Sequence, residues 1–101
     1  PSFEPSWLSP ITGLAHFMAR QYEEAITAME RSNEPPYWAH VYMAASHAML
    51  GNAERARHHA AETLRLKPDF TIARAIDRQP LRRDSDRAHV LEAFHKGGLP
   101  E

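Results

Sequence analysis

Residues 38–66, WAHVYMAASHAMLGNAERARHHAAETLRL, contain two helical patterns separated by a glycine and an asparagine. Gly51 suits the end of a helix, and Asn52 suits the position that caps the next helix. The segment therefore predicts two helices that fold back on each other across a very short turn. The apolar residues that share one helix face, with the spacing i, i+3, i+4, i+7, are Trp38, Val41, Tyr42 and Ala45.

The composition extends this prediction to the whole chain of 101 residues, a length typical of one domain. Alanine, the best helix former, occurs sixteen times, whereas the β-branched residues Val, Ile and Thr together occur ten times. The helical spacing recurs in residues 11–18 and 22–29, and no segment reads convincingly as a strand. We therefore expect an all-α protein.

Prolines, glycines and cap residues predict where six helices begin and end. The first helix is expected to begin after a cap at Ser9, or alternatively at Ser6, and to end near Arg20. The last is expected to begin after a cap at Asp84 or Ser85 and to end at the glycine pair 97–98. The other helices are expected at about 22–32, 36–50, 53–66 and 70–77, the last of these capped by Asp69.

The chain also contains an internal repeat with a period of 31 residues. Shifting residues 7–32 by this period onto residues 38–63 aligns five identical pairs and places Gly13 on Ala44, another small residue. A period of roughly 20 to 50 residues that contains a helix, a turn and a helix predicts a solenoid of stacked helical hairpins. The identical pairs are Trp7 and Trp38, His16 and His47, Met18 and Met49, Glu23 and Glu54, and Ala25 and Ala56.

The two repeats resemble the tetratricopeptide repeat (TPR), whose signature is W-x2-L-G-x2-Y followed by A-x3-F and P. His16 and His47 stand where the signature has tyrosine, and the period is about three residues short of the usual 34. The resemblance implies a superhelical stack of antiparallel helical hairpins in one domain. Repeat 1 would cover about 6–36, repeat 2 about 37–68, and a partial third repeat with a C-terminal capping helix 69–101. The matching small residues and prolines are Gly13, Ala25 and Pro36, then Ala44, Ala56 and Pro68.

Three segments near the C-terminus indicate which group of TPR-containing proteins the chain resembles. They are PDFTIAR at 68–74, QPLR at 79–82 and KGGLPE at 96–101. They resemble the extreme C-terminus of bacterial class III adenylate or guanylate cyclases, in which TPR repeats follow the catalytic domain. Because the chain begins with Pro1, we expect a fragment whose cyclase residues would lie upstream. The resemblance implies a non-catalytic regulatory module. The alternatives are the tail of a winged-helix transcription regulator and a purely structural cap of a longer repeat array.

In TPR proteins the first helix of each hairpin lines a concave groove, and the resemblance places large apolar side chains there. Aromatic residues and methionine suit a protein or peptide partner or self-association, and an exposed face formed by Phe3, Trp7 and Ile11 would favour the latter. The alternative is that these side chains pack against neighbouring helices. The capping helix would turn Val90, Leu91 and Phe94 toward the preceding repeat. The candidate groove residues are Trp7, Pro10, Leu14, Phe17, Met18, Trp38, Val41, Ala45, Ala48 and Met49.

The sequence contains no recognisable catalytic, cofactor or metal site. Without cysteine it has no thiolate zinc site and no cysteine nucleophile. Seven histidines occur without an HExxH motif, and we expect His16 and His47 each to make a buried hydrogen bond in the tyrosine position of the repeat. There is no Gly-rich phosphate loop and no nucleophile elbow. We therefore expect a non-enzymatic chain without metal or cofactor.

Charge and hydropathy limit the possible partners. The net charge of −1 provides no overall attraction to nucleic acid, and aspartates alternate with the clustered arginines, so we expect a solvated or docking surface rather than nucleic-acid binding. No apolar run reaches the roughly 18 residues of a membrane helix and no leader opens the chain, so we expect no membrane segment and a cytoplasmic location. The clustered arginines are Arg74, Arg78, Arg82, Arg83 and Arg87.

Overall fold

The computed structural model describes residues 8–78 and 83–101, and within these ranges it contains six α-helices and no strand. The all-α prediction is confirmed. The predicted ends of α2 to α5 lie within two residues of the observed ones. The helices are α1 (Leu8–Met18), α2 (Tyr22–Glu30), α3 (Tyr37–Met49), α4 (Ala53–Leu66), α5 (Ile72–Arg78) and α6 (Asp84–Lys96).

The turn between α3 and α4 has the chemistry that the sequence predicts. Gly51 has a φ of +82°, in the left-handed region that glycine adopts without strain. The side-chain oxygen of Asn52 accepts a hydrogen bond from the backbone N–H of Arg55 at 3.4 Å and so caps α4. The turn therefore ends one helix and begins the next.

The cap predicted for the last helix is wrong, and so is Ser9 as the cap of the first helix, whereas Ser6, the alternative start, lies outside the described residues. Ser9 lies inside α1, which begins at Leu8. Pro10 is therefore the third helical residue, and the helix tolerates it there because the N–H groups of the first turn have no partner within the helix. Arg83 is the N-cap of α6 and makes no side-chain capping bond, so Asp84 and Ser85 are the first two helical residues. The carboxylate of Asp84 instead lies in the first turn, where the helix dipole favours negative charge.

The cap predicted at Asp69 is also wrong. α5 begins at Ile72, and the hydroxyl of Thr71 accepts the hydrogen bond from the backbone N–H of Arg74 at 3.2 Å. The carboxylate of Asp69 contacts Lys67 Nζ and Arg74 Nη1 instead, each at 3.4 Å. Thr71, a hydroxyl-bearing residue closer to the helix, therefore takes the capping role in place of Asp69.

Two helical hairpins form the larger part of the fold. α1 packs against α2 and α3 against α4, and the two hairpins contact each other through α2 and α3. The first hairpin depends on Gly13, because a Cβ there would lie 2.5 Å from Met29 Cγ and 2.9 Å from the carbonyl oxygen of Ala25. Two small residues of the repeat, Gly13 and Ala25, therefore allow α1 and α2 to approach closely.

The centre of the core is α3. Residues 39–47 are buried without interruption, because α1, α2, α4 and α6 all pack against this helix. A helix that is covered on all sides needs small or apolar residues around its whole circumference. Ala39, Ala44 and Ala45 supply such small residues.

The last helix, α6, closes the fold by packing against α3. Val90 and Phe94 are fully buried, and Leu91 is partly buried against the same core. The C-terminal residues then return to α5, where the N–H of Ile72 donates a hydrogen bond to the carbonyl of Pro100 at 2.8 Å. The C-terminal end of the chain is therefore attached at both α3 and α5.

Candidate binding site

The candidate groove residues do not form one continuous open surface. Phe3 and Trp7 lie outside the described residues, and Ile11, at the same end of the chain, is 48 % exposed. The remaining candidates divide into two groups. Pro10, Phe17, Val41 and Ala45 are buried, and Leu14, Met18, Trp38, Ala48 and Met49 are half-buried.

The C-terminal helix covers the groove around Phe17 and Ala45. The imidazole of His89 stacks on the ring of Phe17, with centroids 4.9 Å apart, and its Nε2 lies 2.7 Å from the hydroxyl of Tyr22. Beyond the other end of α6, a Cβ on Gly97 would lie 3.3 Å from the backbone nitrogen of Ala45. At Phe17 and Ala45 the structure therefore agrees with the alternative that the sequence leaves open, in which groove residues pack against a neighbouring helix of the same chain.

The part of the predicted groove beside Trp38 opens into a cavity of about 410 Å³, which we call the α3–α5 cavity. It lies between α1, the first half of α3, the turn before α5 and α5 itself, and Phe94 of α6 also lines it. Three candidate groove residues, Leu14, Trp38 and Val41, line it. Its volume falls within the range of roughly 300–1,000 Å³ that is typical of ligand sites. The α3–α5 cavity is therefore the candidate binding site.

One wall of the α3–α5 cavity is apolar and largely aromatic. Trp38, Val41 and Tyr42 contribute to the same wall because residues three and four apart share a helix face. Tyr37 contacts Phe70 edge to face, with ring centroids 6.3 Å apart, and so positions an aromatic ring from the turn before α5. Such rings offer large rigid contact areas to an apolar group.

The wall formed by the segment 67–78 is charged. Lys67, Arg74 and Arg78 line it together with one carboxylate, Asp69, which contacts the first two of these cations at 3.4 Å. Lys67 Nζ also lies 5.7 Å from the centroid of the Tyr37 ring. A backbone hydrogen bond and then Lys67 hold the pKa of Asp69 below its usual range, so the carboxylate is ionised at neutral pH. One carboxylate among three cations leaves this wall positive.

The α5 side of the cavity does not follow from the sequence patterns. These patterns place Arg74 and Arg78 on a solvated or docking surface and Phe70 at the start of a helix. Arg82, another of the clustered arginines, lies outside the described residues. Only the folded chain brings this segment next to Trp38. An aromatic residue directly before a short helix was the signal that could have located this wall, because its ring needs a surface to pack against.

A second cluster of titratable side chains lies between α3 and α4. The Nδ1 atoms of His59 and His40 are 3.1 Å apart, and the ring of His47 stacks on His59 with centroids 5.4 Å apart. Burial first, and then these two neighbours, lower the pKa of His59 to about 4. Burial also lowers the pKa of His40 and of His47. Within residues 8–78 and 83–101, no group of three or more His, Asp or Glu side chains could hold a metal ion.

The buried hydrogen bonds expected for His16 and His47 do not form in the described part of the chain. His16 Nδ1 lies 2.7 Å from the side-chain oxygen of Gln21 in an exposed position. His47 Nε2 is buried without a hydrogen-bond partner among the described residues. The expectation is wrong because α1 leaves His16 partly open to solvent, whereas His47 is held by stacking on His59.

The chain matches no protein-family model, no curated protein and no solved structure. None of the helices in the described ranges is long and apolar enough to cross a membrane. The interpretation of the α3–α5 cavity therefore depends on its own geometry, an aromatic wall together with a positively charged one.

Proposed function

We propose that this chain is a non-catalytic interaction module that binds a protein or peptide partner in the α3–α5 cavity. The observation that carries the proposal is the aromatic wall of this cavity, in which Trp38 is only half-buried. Tryptophan and tyrosine side chains in well-defined pockets are typical of the few residues that dominate binding energy at interfaces. A partner side chain placed against Trp38 and Leu14 would remove further apolar surface from water.

The proposal includes a TPR-like superhelical stack of the two hairpins. Contacts within each hairpin and between α2 and α3 support this arrangement, because stacked hairpins contact their neighbours in this way. The close approach of Gly13 and Ala25 supports it as well, since both are small positions of the repeat. The partner would bind in the α3–α5 cavity, beside Leu14 and Trp38, and not at Phe17 and Ala45, which the C-terminal part of the chain covers.

The resemblance of segments 68–74, 79–82 and 96–101 to cyclase tails supports a wider proposal. In it the module regulates a bacterial adenylate or guanylate cyclase in the cytoplasm, and the tail of a winged-helix transcription regulator is the alternative. Cyclic-nucleotide formation by the parent protein, with and without residues 1–101, tests this proposal. Altered cyclase activity supports it, and a parent protein with a winged-helix domain in place of a cyclase domain contradicts it.

One observation favours a second candidate function, a structural cap for a longer repeat array. Val90 and Phe94 of α6 are fully buried where this last helix packs against α3, and terminal elements of repeat stacks cover an apolar end in this way. If the chain only has this role, the α3–α5 cavity binds no partner. The two functions therefore differ in whether anything binds beside Trp38.

A fluorescence titration separates the two candidates. The substitution Trp7→Phe leaves Trp38 as the single tryptophan, so a set of defined peptides can be tested for binding near its ring. Ala75→Leu enlarges a side chain of the cavity wall, and Ala73→Leu makes the same change at an exposed position of α5. Binding that Ala75→Leu abolishes and Ala73→Leu preserves supports the interaction module. No response to any peptide supports the cap.

A further inference from the structure

The α3–α5 cavity is short. Because α6 covers Phe17 and Ala45, a partner in the α3–α5 cavity would contact the groove beside Leu14 and Trp38. The cavity volume of about 410 Å³ lies near the lower end of the range of roughly 300–1,000 Å³ that is typical of ligand sites. This space suits one large side chain and the backbone beside it better than a long helix or an extended chain.

The lining of the cavity also differs in charge from one part to another. Leu14 and Trp38 contribute uncharged surface from α1 and α3, whereas Arg74 and Arg78 contribute guanidinium groups from α5. Both arginines are exposed, so their charges remain at the mouth of the cavity, within reach of a bound molecule. Guanidinium groups bind carboxylates with two parallel hydrogen bonds, which makes arginine well suited to this contact.

We propose that the partner is a short acidic segment of a protein that carries one large apolar side chain. The apolar side chain contacts Trp38 and Leu14, and a neighbouring carboxylate pairs with Arg74 and Arg78. A basic segment would instead meet like charges at the mouth of the cavity, which opposes its binding. This inference rests on the proposed function and specifies the chemistry of its partner.

Four short capped peptides of equal length test the inference. Three of them carry a central phenylalanine between two glutamates, two glutamines or two lysines, and the fourth carries alanine between two glutamates. With the Trp7→Phe chain at low ionic strength, the glutamate peptide should bind about 5- to 10-fold more tightly than the glutamine peptide. The lysine peptide should bind more weakly still, and the alanine peptide should lose most of its affinity. Added salt should reduce the difference between glutamate and glutamine, because these charges are exposed.

Substitution of the arginines identifies the groups that recognise the acid. Arg78→Gln should reduce the preference for the glutamate peptide to about 2-fold or less, and Arg74→Gln is a second test of the same contact. Arg57→Gln is the matched control, because Arg57 is exposed on α4 and does not line the cavity. Circular dichroism shows whether each variant is folded.

The possible failures are distinguishable. Equal affinity for the three phenylalanine peptides, still abolished by Ala75→Leu, overturns the acidic partner and leaves the proposed function in place. Binding of phenylpropionate as tightly as the glutamate peptide also overturns the inference, because a small carboxylate would then suffice. No response to any phenylalanine peptide overturns the inference, and no response to the wider peptide set overturns the proposed function itself.

Discussion

The ring of His89 lies nearly parallel to the ring of Phe17, with centroids 4.9 Å apart and 16° between the ring planes. His89 belongs to α6 and Phe17 to α1, so this contact joins the last helix to the first. The hydroxyl of Tyr22, 2.7 Å from Nε2 of His89, adds a contact from α2. Together these contacts explain why the predicted groove is closed around Phe17 and open beside Trp38.

Removal of the imidazole should weaken the attachment of α6. We expect His89→Ala to lower the free energy of unfolding by about 2 kcal/mol, because it removes buried contacts and leaves a cavity. His95→Ala, at an exposed position of the same helix, should change it by less than about 0.5 kcal/mol. Urea denaturation followed by circular dichroism measures both values. Equal losses for the two variants would mean that the stack on Phe17 does not hold α6.

The histidine cluster should make the protein less stable in acid. Burial first, and then His40 and His47, lower the pKa of His59 from 6.5 to about 4. Between these two pH values the unfolded chain binds a proton that the folded chain excludes, so stability rises with pH across this window. His59 alone should contribute about 3 kcal/mol, present in full above pH 6.5 and lost as the pH falls toward 4.

Urea denaturation over a series of pH values gives the free energy of unfolding at each pH, and the effect appears as the slope of this free energy against pH. His59→Gln should reduce the slope, while the lowered pKa values of His40 and His47 preserve part of it. His58→Gln is the matched control, because His58 is the neighbouring residue and is exposed. If the slope is the same in His59→Gln as in the unsubstituted chain, the buried cluster is not its source.

Substitutions of two glycines should have effects in a definite order. A Cβ on Gly13 would lie 2.5 Å from Met29 Cγ, whereas a Cβ on Gly97 would lie 3.2 Å from the carbonyl carbon of Ala44. We expect Gly13→Ala to destabilise the protein by about 1–3 kcal/mol despite the better helix propensity of alanine. The loss for Gly97→Ala should be smaller, because the Ala44 backbone has to shift by only a few tenths of an ångström. Thermal unfolding of both variants checks the order, and the reverse order would refute the close contact of α1 with α2.

Local features of the sequence predict most of the helices. The spacing of Trp38, Val41 and Tyr42 and the turn at Gly51 and Asn52 depend on residues close together in the chain, and the structure agrees with them. The wrong cap of α5 arises because two residues with suitable side chains, Asp69 and Thr71, lie within a few positions. Local propensity does not decide between such neighbours.

The candidate site is predictable only in part. Leu14, Trp38 and Val41, three of the residues that the TPR resemblance places in a groove, line the cavity. The contact of His89 with Phe17 and the position of Arg78 depend on how the C-terminal third of the chain folds back. No local pattern contains that information.

Nuclear magnetic resonance of the isotopically labelled chain, titrated with the glutamate-flanked phenylalanine peptide, locates the bound peptide residue by residue. We predict saturable shift changes concentrated at Leu14, Trp38, Phe70 and Ala75, with little change at Leu64 and Leu66, which are exposed on α4. Ala75→Leu should abolish these changes. Saturable changes centred on Leu64 and Leu66, with none around Trp38, would contradict the assignment of the α3–α5 cavity as the binding site.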